Sequence, residues 1–103
     1  MSRYIYLWEF IVAPEHTREF EYAYGDDGDW VQLFRRAPGY LRTELIRHRD
    51  HPNRYLTIDY WESEAAYAAF RSQFSKEFAA LDATCAAWTT SEREIGRFGT
   101  VAP

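Results

Sequence analysis

A chain of 103 residues suits one domain, taken here as residues 1–103, and its 47% hydrophobic and 18% aromatic content excludes a disordered polypeptide. Its net charge of -4 argues against a nucleic-acid partner, which requires an excess of Lys and Arg on one face. The chain lacks both a signal-peptide pattern at its start and a run of roughly 20 apolar residues, so we expect neither export nor a membrane partner.

The first part of the chain predicts a strand and an interrupted helix. Residues Tyr4–Val12 are apolar at almost every position and stop before Pro14, as in a strand covered on both faces. Residues 14–24 carry Pro in the first turn and apolar side chains on one side, which predicts a helix. Residues 25–28 are rich in Gly and Asp and interrupt it, and a second helical piece follows over residues 29–36.

The middle of the chain predicts a β-hairpin. Residues 40–49 alternate as a strand, residues 50–53 form a turn, and Arg54–Trp61 returns as the next strand. Alternation places four side chains of the first strand on one side: Leu41, Thr43, Leu45 and Arg47. It likewise places four side chains of the returning strand on one face: Tyr55, Thr57, Asp59 and Trp61.

The last part of the chain predicts a single helix and a closing strand. Ser63 caps the helix, whose apolar spacing continues to Leu81. Residues 89–98 form the strand, and residues 98–103 form a loose tail. The single cysteine, Cys85, is expected to be a small buried hydrophobic residue near the end of the helix. Because it cannot form an internal disulfide, we expect a reducing compartment, by default the cytoplasm.

The resulting order is β-α-β-β-α-β, the ferredoxin-like split βαβ arrangement of an α+β protein. Its four-stranded antiparallel sheet carries two helices on one face and leaves the other face bare. The bare face would expose an apolar patch, to which the following side chains contribute: Ile5, Leu7, Ile11, Leu56 and Ile58. Soluble monomers rarely expose such a patch, so we expect a homodimer with sheets facing each other. The alternative is a monomer whose Tyr and Arg side chains shield the face.

Four short motifs stand out along the chain: Glu9-Phe10 with Val12 and Pro14, Phe34-Arg35 with Pro38-Gly39-Tyr40, Arg54-Tyr55-Leu56-Thr57-Ile58, and Trp61-Glu62-Ser63 with Ala66-Tyr67. Together they resemble the antibiotic biosynthesis monooxygenase family of dimeric α/β barrels. The resemblance covers nearly the whole chain. It implies a ferredoxin-like subunit, a homodimer with a shared barrel, and a pocket between helices and sheet in each subunit.

For the family's oxygenases that use no metal or flavin, the resemblance implies a Trp at the end of the third strand and a Tyr in the following helix. Trp61 and Tyr67 match these positions, and Thr57 stands where such enzymes carry Asn. The residues that the family's haem-degrading members would need are absent, since Phe70 and Ala80 occupy the expected Trp and His positions. We therefore expect no cofactor and no metal.

Oxygenation without a cofactor needs an acidic substrate, because an electron-rich phenolate or carbanion passes an electron to dioxygen far more readily than the neutral form. Asp59 is the best candidate for the base, since it shares a face with Thr57 and Trp61 and burial there would raise its pKa. Trp61 and Tyr67 would donate hydrogen bonds to the developing oxyanion. The alternatives are that Asp59 pairs with an Arg such as Arg42 or Arg54, and that Trp61 and Tyr67 are core rings.

Aromatic side chains are expected to form the wall of the pocket and to bind the substrate: Trp8, Phe10, Trp30, Phe34, Phe70 and Phe74, with Phe78. Glu9 is expected to pair structurally with an Arg of the sheet or of the partner subunit. His48, Asp50 and His51 are interpreted as a solvated turn rather than metal ligands.

The sequence therefore predicts a cofactor-independent monooxygenase that oxidises a small aromatic, polycyclic or quinol substrate with dioxygen. The alternative is a non-catalytic homodimeric module that binds a small apolar or aromatic molecule.

Overall fold

A computed structural model describes residues 2–101 of the chain. The strands are β1 (Tyr4–Val12), β2 (Tyr40–Arg47), β3 (Arg54–Trp61) and β4 (Thr89–Gly99). A short 3-10 helix (Pro14–His16) precedes α1 (Thr17–Tyr24) and α2 (Asp29–Phe34), and α3 (Glu64–Gln73) and α4 (Ser75–Ala86) lie between β3 and β4. None of the helices in this part of the chain is long and apolar enough to cross a bilayer.

The four strands form one antiparallel sheet in the order β2-β3-β1-β4, which confirms the predicted ferredoxin-like α+β fold. In the pairing of β1 with β3, Trp8 lies opposite Thr57 and Tyr6 lies opposite Asp59. Directly opposed residues share a face of the sheet. The aromatic side of β1 and the polar side of β3 therefore meet on one surface.

The hydrophobic core lies between this surface and the helices. Phe20 of α1, Phe70 of α3 and Trp61 of β3 are almost fully buried there. The opposite face carries five apolar side chains that lie outside the core, each of them partly exposed: Ile5, Leu7, Ile11, Leu56 and Ile58. Charged side chains, among them Glu9 and Arg54, lie on the same face. We call this face the open face.

The predicted single helix after Ser63 is two helices, because the backbone leaves the helical region at Phe74, with φ -112° and ψ 30°. The break lets each half pack against a different neighbour. The centre of the Phe70 ring in α3 lies 5.1 Å from that of the Trp61 ring in β3. The centre of the Phe78 ring in α4 lies 5.0 Å from that of the Trp30 ring in α2.

Two predicted strand details were wrong. β2 contains a bulge between Tyr40 and Arg42, so that Tyr40, and not Leu41, lies opposite Trp61, while Leu41 is exposed. Gly99 belongs to β4 and not to the tail, since it pairs with Tyr4, whereas Phe98 lies in the strand that was predicted to end there. Ala102 and Pro103 of the predicted tail lie outside the described residues.

Candidate active site

A cavity of about 390 Å³ lies between the helix-covered face of the sheet and the helices. The sheet contributes Tyr6, Trp8, Phe10, Thr57, Asp59 and Glu92 to its wall. The helices contribute the rings of Tyr24, Trp30, Phe34, Tyr67 and Phe78. The site is therefore an aromatic pocket with a few polar groups, which is the usual make-up of a small-molecule site.

Asp59 lies in the middle of β3 and borders the cavity. Its Oδ1 accepts a hydrogen bond of 2.7 Å from the Thr43 hydroxyl. Burial raises the pKa of the Asp59 carboxyl from its ordinary 3.8 to about 6, although the hydrogen bond from Thr43 opposes that rise. A carboxyl with this pKa is mostly ionised at neutral pH and can still take up a proton.

The alternative in which Asp59 pairs with an Arg is wrong for both residues considered. Arg42 lies 3.2 Å from Glu44 and stacks over the Tyr60 ring, and Arg54 pairs with Glu9. The register explains this, because Arg42 and Arg54 lie opposite Tyr60 and Ile11 on the other side of the sheet.

Tyr67 projects from α3 into the cavity wall, and its phenol oxygen accepts a 3.3 Å hydrogen bond from Arg71 Nη1. The Arg71 guanidinium lies 3.8 Å from the centre of the Phe78 ring, a cation–π contact that orients it. Burial raises the pKa of the Tyr67 phenol, and Arg71 partly opposes that effect. The phenol therefore stays protonated at neutral pH and can donate a hydrogen bond.

Three predicted site residues are not among the residues that line the cavity: Trp61, Phe70 and Phe74. Trp61 is fully buried beneath the wall, where its ring packs edge-on against Tyr40 and Tyr67. Its Nε1 has no hydrogen-bond partner among the described residues. Trp61 thus supports the Tyr67 ring from behind. Thr57 is 5% exposed and does line the cavity.

Sequence reasoning missed five residues of the wall: Tyr6, Tyr24, Arg71, Asp82 and Glu92. A helical-spacing signal exists for two of them, since Arg71 follows Tyr67 and Asp82 follows Phe78 by four residues, and such pairs share a helix face. Glu92 reaches the site because β4 places it opposite Phe10. Burial, and secondarily the nearby Asp82 carboxylate, raise the pKa of the Glu92 carboxyl.

Several residues noted in the sequence lie away from the cavity. Glu9 pairs with Arg93 at 3.1 Å and with Arg54 at 3.9 Å, which confirms a structural ion pair within the sheet. Cys85 is buried and free. Within residues 2–101, no three His, Cys, Asp or Glu side chains are grouped so that they could hold a metal ion.

Comparison with known proteins gives the same architecture. A family model described as antibiotic biosynthesis monooxygenase matches residues 4–83. A variant of SnoaB, a cofactor-independent oxygenase from Streptomyces nogalater, superposes with a TM-score of 0.82 at 23% identity, covering 100% of this chain and 97% of that one.

A candidate antibiotic biosynthesis monooxygenase from Bordetella bronchiseptica gives a TM-score of 0.75 at 20% identity, covering 99% of this chain and 100% of that one. One from Nitrosomonas europaea gives a TM-score of 0.74 at 18% identity, covering 98% and 92%. At these identities the likeness concerns the fold. No curated protein matches the sequence significantly.

Proposed function

The chain belongs to the antibiotic biosynthesis monooxygenase family, and from this premise we propose that it oxidises a small aromatic, polycyclic or quinol substrate with dioxygen and without a cofactor. The observation that carries the proposal is Asp59, a carboxylate with a pKa of about 6 that borders an aromatic cavity of about 390 Å³. The likeness in fold to SnoaB, which is described as a cofactor-independent oxygenase, supports the same reaction type.

In the proposed reaction the Asp59 carboxylate takes a proton from an acidic C–H or O–H group of the substrate. The substrate anion that remains transfers one electron to dioxygen, and the resulting substrate radical and superoxide join through a new C–O bond. The protonated Asp59 returns its proton to the peroxide anion, which regenerates the base. For a CH2 group between aromatic rings, the hydroperoxide then loses water and leaves a carbonyl, so that CH2 and O2 become C=O and H2O. The general base lowers the barrier because the neutral substrate is a poor electron donor.

The negative charge that develops on the substrate oxygen needs a hydrogen-bond donor. Tyr67 serves this purpose, because Arg71 donates to its phenol oxygen and leaves the phenol proton available for the substrate. The Arg71 guanidinium also adds a positive charge near the phenol oxygen of Tyr67. In a partly desolvated site this charge makes the phenol a stronger hydrogen-bond donor to the substrate anion.

The shape and chemistry of the wall set the class of substrate. Trp8, Phe10, Trp30 and Phe34 present ring faces and edges to the cavity, which suit a planar fused-ring or quinoid molecule. Apolar surface predominates, while the polar groups Asp59 and Tyr67 fix the orientation of the reacting carbon.

We further propose a homodimer in which the open faces of two copies meet. Five apolar side chains occupy that face, and Ile46 and Phe98 at its margins are 46% and 50% exposed. The charged Glu9 in its centre is already paired with Arg93 at 3.1 Å and approached by Arg54 at 3.9 Å, so that a second sheet would cover a paired carboxylate and not an isolated one.

Oxygen consumption tests the proposed reaction. We expect the wild-type protein to consume oxygen with members of a panel of anthrones and quinols, and to insert one atom from 18O2 into the product. Asp59→Asn should lower the rate by at least about 100-fold, in the range that loss of a general base costs, whereas Asp50→Asn on the exposed hairpin turn is the matched control.

The proposal fails if no member of the panel is consumed faster than in buffer, or if Asp59→Asn retains full activity. Quenching of Trp fluorescence by the same compounds without any oxygen uptake would favour the non-catalytic binding module.

A further inference from the structure

The bulge in β2 brings two hydroxyl groups to the side of the sheet that Asp59 occupies. In a regular strand, side chains three positions apart point to opposite faces, so Tyr40 and Thr43 would be separated. Because of the bulge between Tyr40 and Arg42, Tyr40 and Thr43 lie on the same face, with Tyr40 opposite Trp61 and Thr43 opposite Asp59. Bulges of this kind often redirect a side chain next to an active site.

The three side chains form a hydrogen-bond chain with one possible direction while Asp59 is ionised. The carboxylate only accepts, so Thr43 donates its single proton to Asp59 Oδ1 at 2.7 Å. The Thr43 oxygen must then accept from the Tyr40 hydroxyl, 2.8 Å away. Both hydroxyls therefore act on Oδ1, and among the described residues no hydrogen bond reaches Oδ2.

The residue before Tyr40 holds the start of this chain in place. Gly39 has a φ of 90°, a conformation that favours glycine, and a Cβ at this position would lie 2.6 Å from Ala66 Cβ. Its carbonyl accepts a 2.8 Å hydrogen bond from the Glu62 amide at the end of β3. The first residues of β2 are thus held against α3 and β3. The Tyr40 ring in addition packs on the rings of Phe34 and Trp61.

We propose that Thr43 and Tyr40 are positioning residues for Asp59, which stabilise its ionised form from behind the cavity and leave Oδ2 free to meet the substrate. The inference rests on the proposed function, because it explains how a carboxylate in a desolvated place remains a base at neutral pH. Two consecutive donors strengthen each other when the first is polarised by a charge.

Other charged or titratable groups border the same cavity and define the electrostatic setting. Tyr6 of β1, Tyr24 of α1 and Tyr67 of α3 are phenols, Asp82 of α4 and Glu92 of β4 are carboxyls, and Arg71 is the only cation among the described residues of the wall. Of these groups, none hydrogen-bonds to Asp59, whereas Thr43 does. At the far end of the hydrogen-bond chain, burial raises the pKa of the Tyr40 phenol, and the Thr43 hydrogen bond and the charge of Arg35 only partly oppose that rise.

Carboxyl 13C NMR of Asp59 tests the inference without any substrate, with Asp59→Asn used to assign the signal. Thr43→Val keeps the shape and removes the donor, and it should raise the pKa of Asp59 by about one, the equivalent of a lost hydrogen bond to a charged group. Tyr40→Phe should raise the pKa of Asp59 by less than Thr43→Val does, because Tyr40 acts on the carboxylate only through Thr43. Thr43→Ser, which retains the hydroxyl, is the matched control and should leave it within about 0.3.

The inference is overturned if Thr43→Val leaves the pKa of Asp59 unchanged, or if Thr43→Ser shifts it as much as Thr43→Val does. In turnover, the acidic limb of the kcat profile should move upward in parallel with the NMR value, which a purely structural role would not produce. If Thr43→Val raises the pKa of Asp59 but the wild-type protein consumes no oxygen, the role of Thr43 and Tyr40 is supported and only the oxygenase proposal fails.

Discussion

Replacing Asp59 by Asn should stabilise the fold at neutral pH, because the ionised carboxylate is held in a place that penalises its charge. The pKa of Asp59 is about 6 in the folded protein against an ordinary 3.8. At about 1.4 kcal/mol for each pKa unit, this gap corresponds to about 3 kcal/mol. Loss of activity with a gain in stability is the pattern expected of a strained catalytic group.

The sign of the pH dependence follows from the raised pKa. Below pH 3.8 the carboxyl is protonated in both the folded and the unfolded chain, so ionisation of Asp59 carries no penalty there. As the pH rises toward 6, the unfolded chain ionises first and the folded state loses stability relative to it. Above pH 6 the full penalty of about 3 kcal/mol applies.

Urea denaturation of the wild type and of Asp59→Asn between pH 3 and pH 8 measures this effect. We expect the advantage of the variant to grow by about 3 kcal/mol over that range. Asp50→Asn, on an exposed turn, should change the free energy of unfolding by less than about 0.5 kcal/mol throughout. A pH-independent difference between Asp59→Asn and the wild type would show that burial does not penalise this carboxylate.

Three further outcomes are expected. Tyr67→Phe removes the oxyanion donor and should lower kcat about 100-fold in oxygen-uptake assays with little change in KM, whereas Tyr22→Phe, at a 70% exposed position, should not; equal rates would contradict the role of the phenol. Leu7→Arg places a charge on the open face and should yield monomers in sedimentation velocity, whereas Tyr22→Arg should stay dimeric; a persisting dimer would contradict the interface. Gly39→Ala should lower the free energy of unfolding in urea by about 2 kcal/mol, because of its φ of 90° and the contact with Ala66, and a loss below about 0.5 kcal/mol would refute this.

Patterns along single strands were sufficient for much of this protein. The alternation of Thr57, Asp59 and Trp61 against Leu56 and Ile58 predicted correctly which residues face the helices. Alternation is a local property of an extended backbone, so it can be read from one segment. The order of the elements then left a single sheet with helices on one face.

Features that depend on the pairing of two segments could not be predicted from the sequence. The bulge at Leu41 adds one residue to β2, and only the pairing with β3 reveals that Tyr40 joins Thr43 on the side of Asp59. Glu92 enters the cavity only through its register opposite Phe10. The sequence placed Trp61 on the correct face of the sheet, but its ring does not reach the cavity, because Tyr40 and Tyr67 pack over it.

The sequence by itself determined the strands, the two layers and the presence of a carboxylate on the aromatic side of the sheet, since hydrophobic periodicity and turn residues act locally. The tertiary structure alone decided which groups touch that carboxylate. Hydrogen bonds such as that from Thr43 to Asp59 join strands whose relative register depends on the packing of the whole sheet, and no local pattern encodes it.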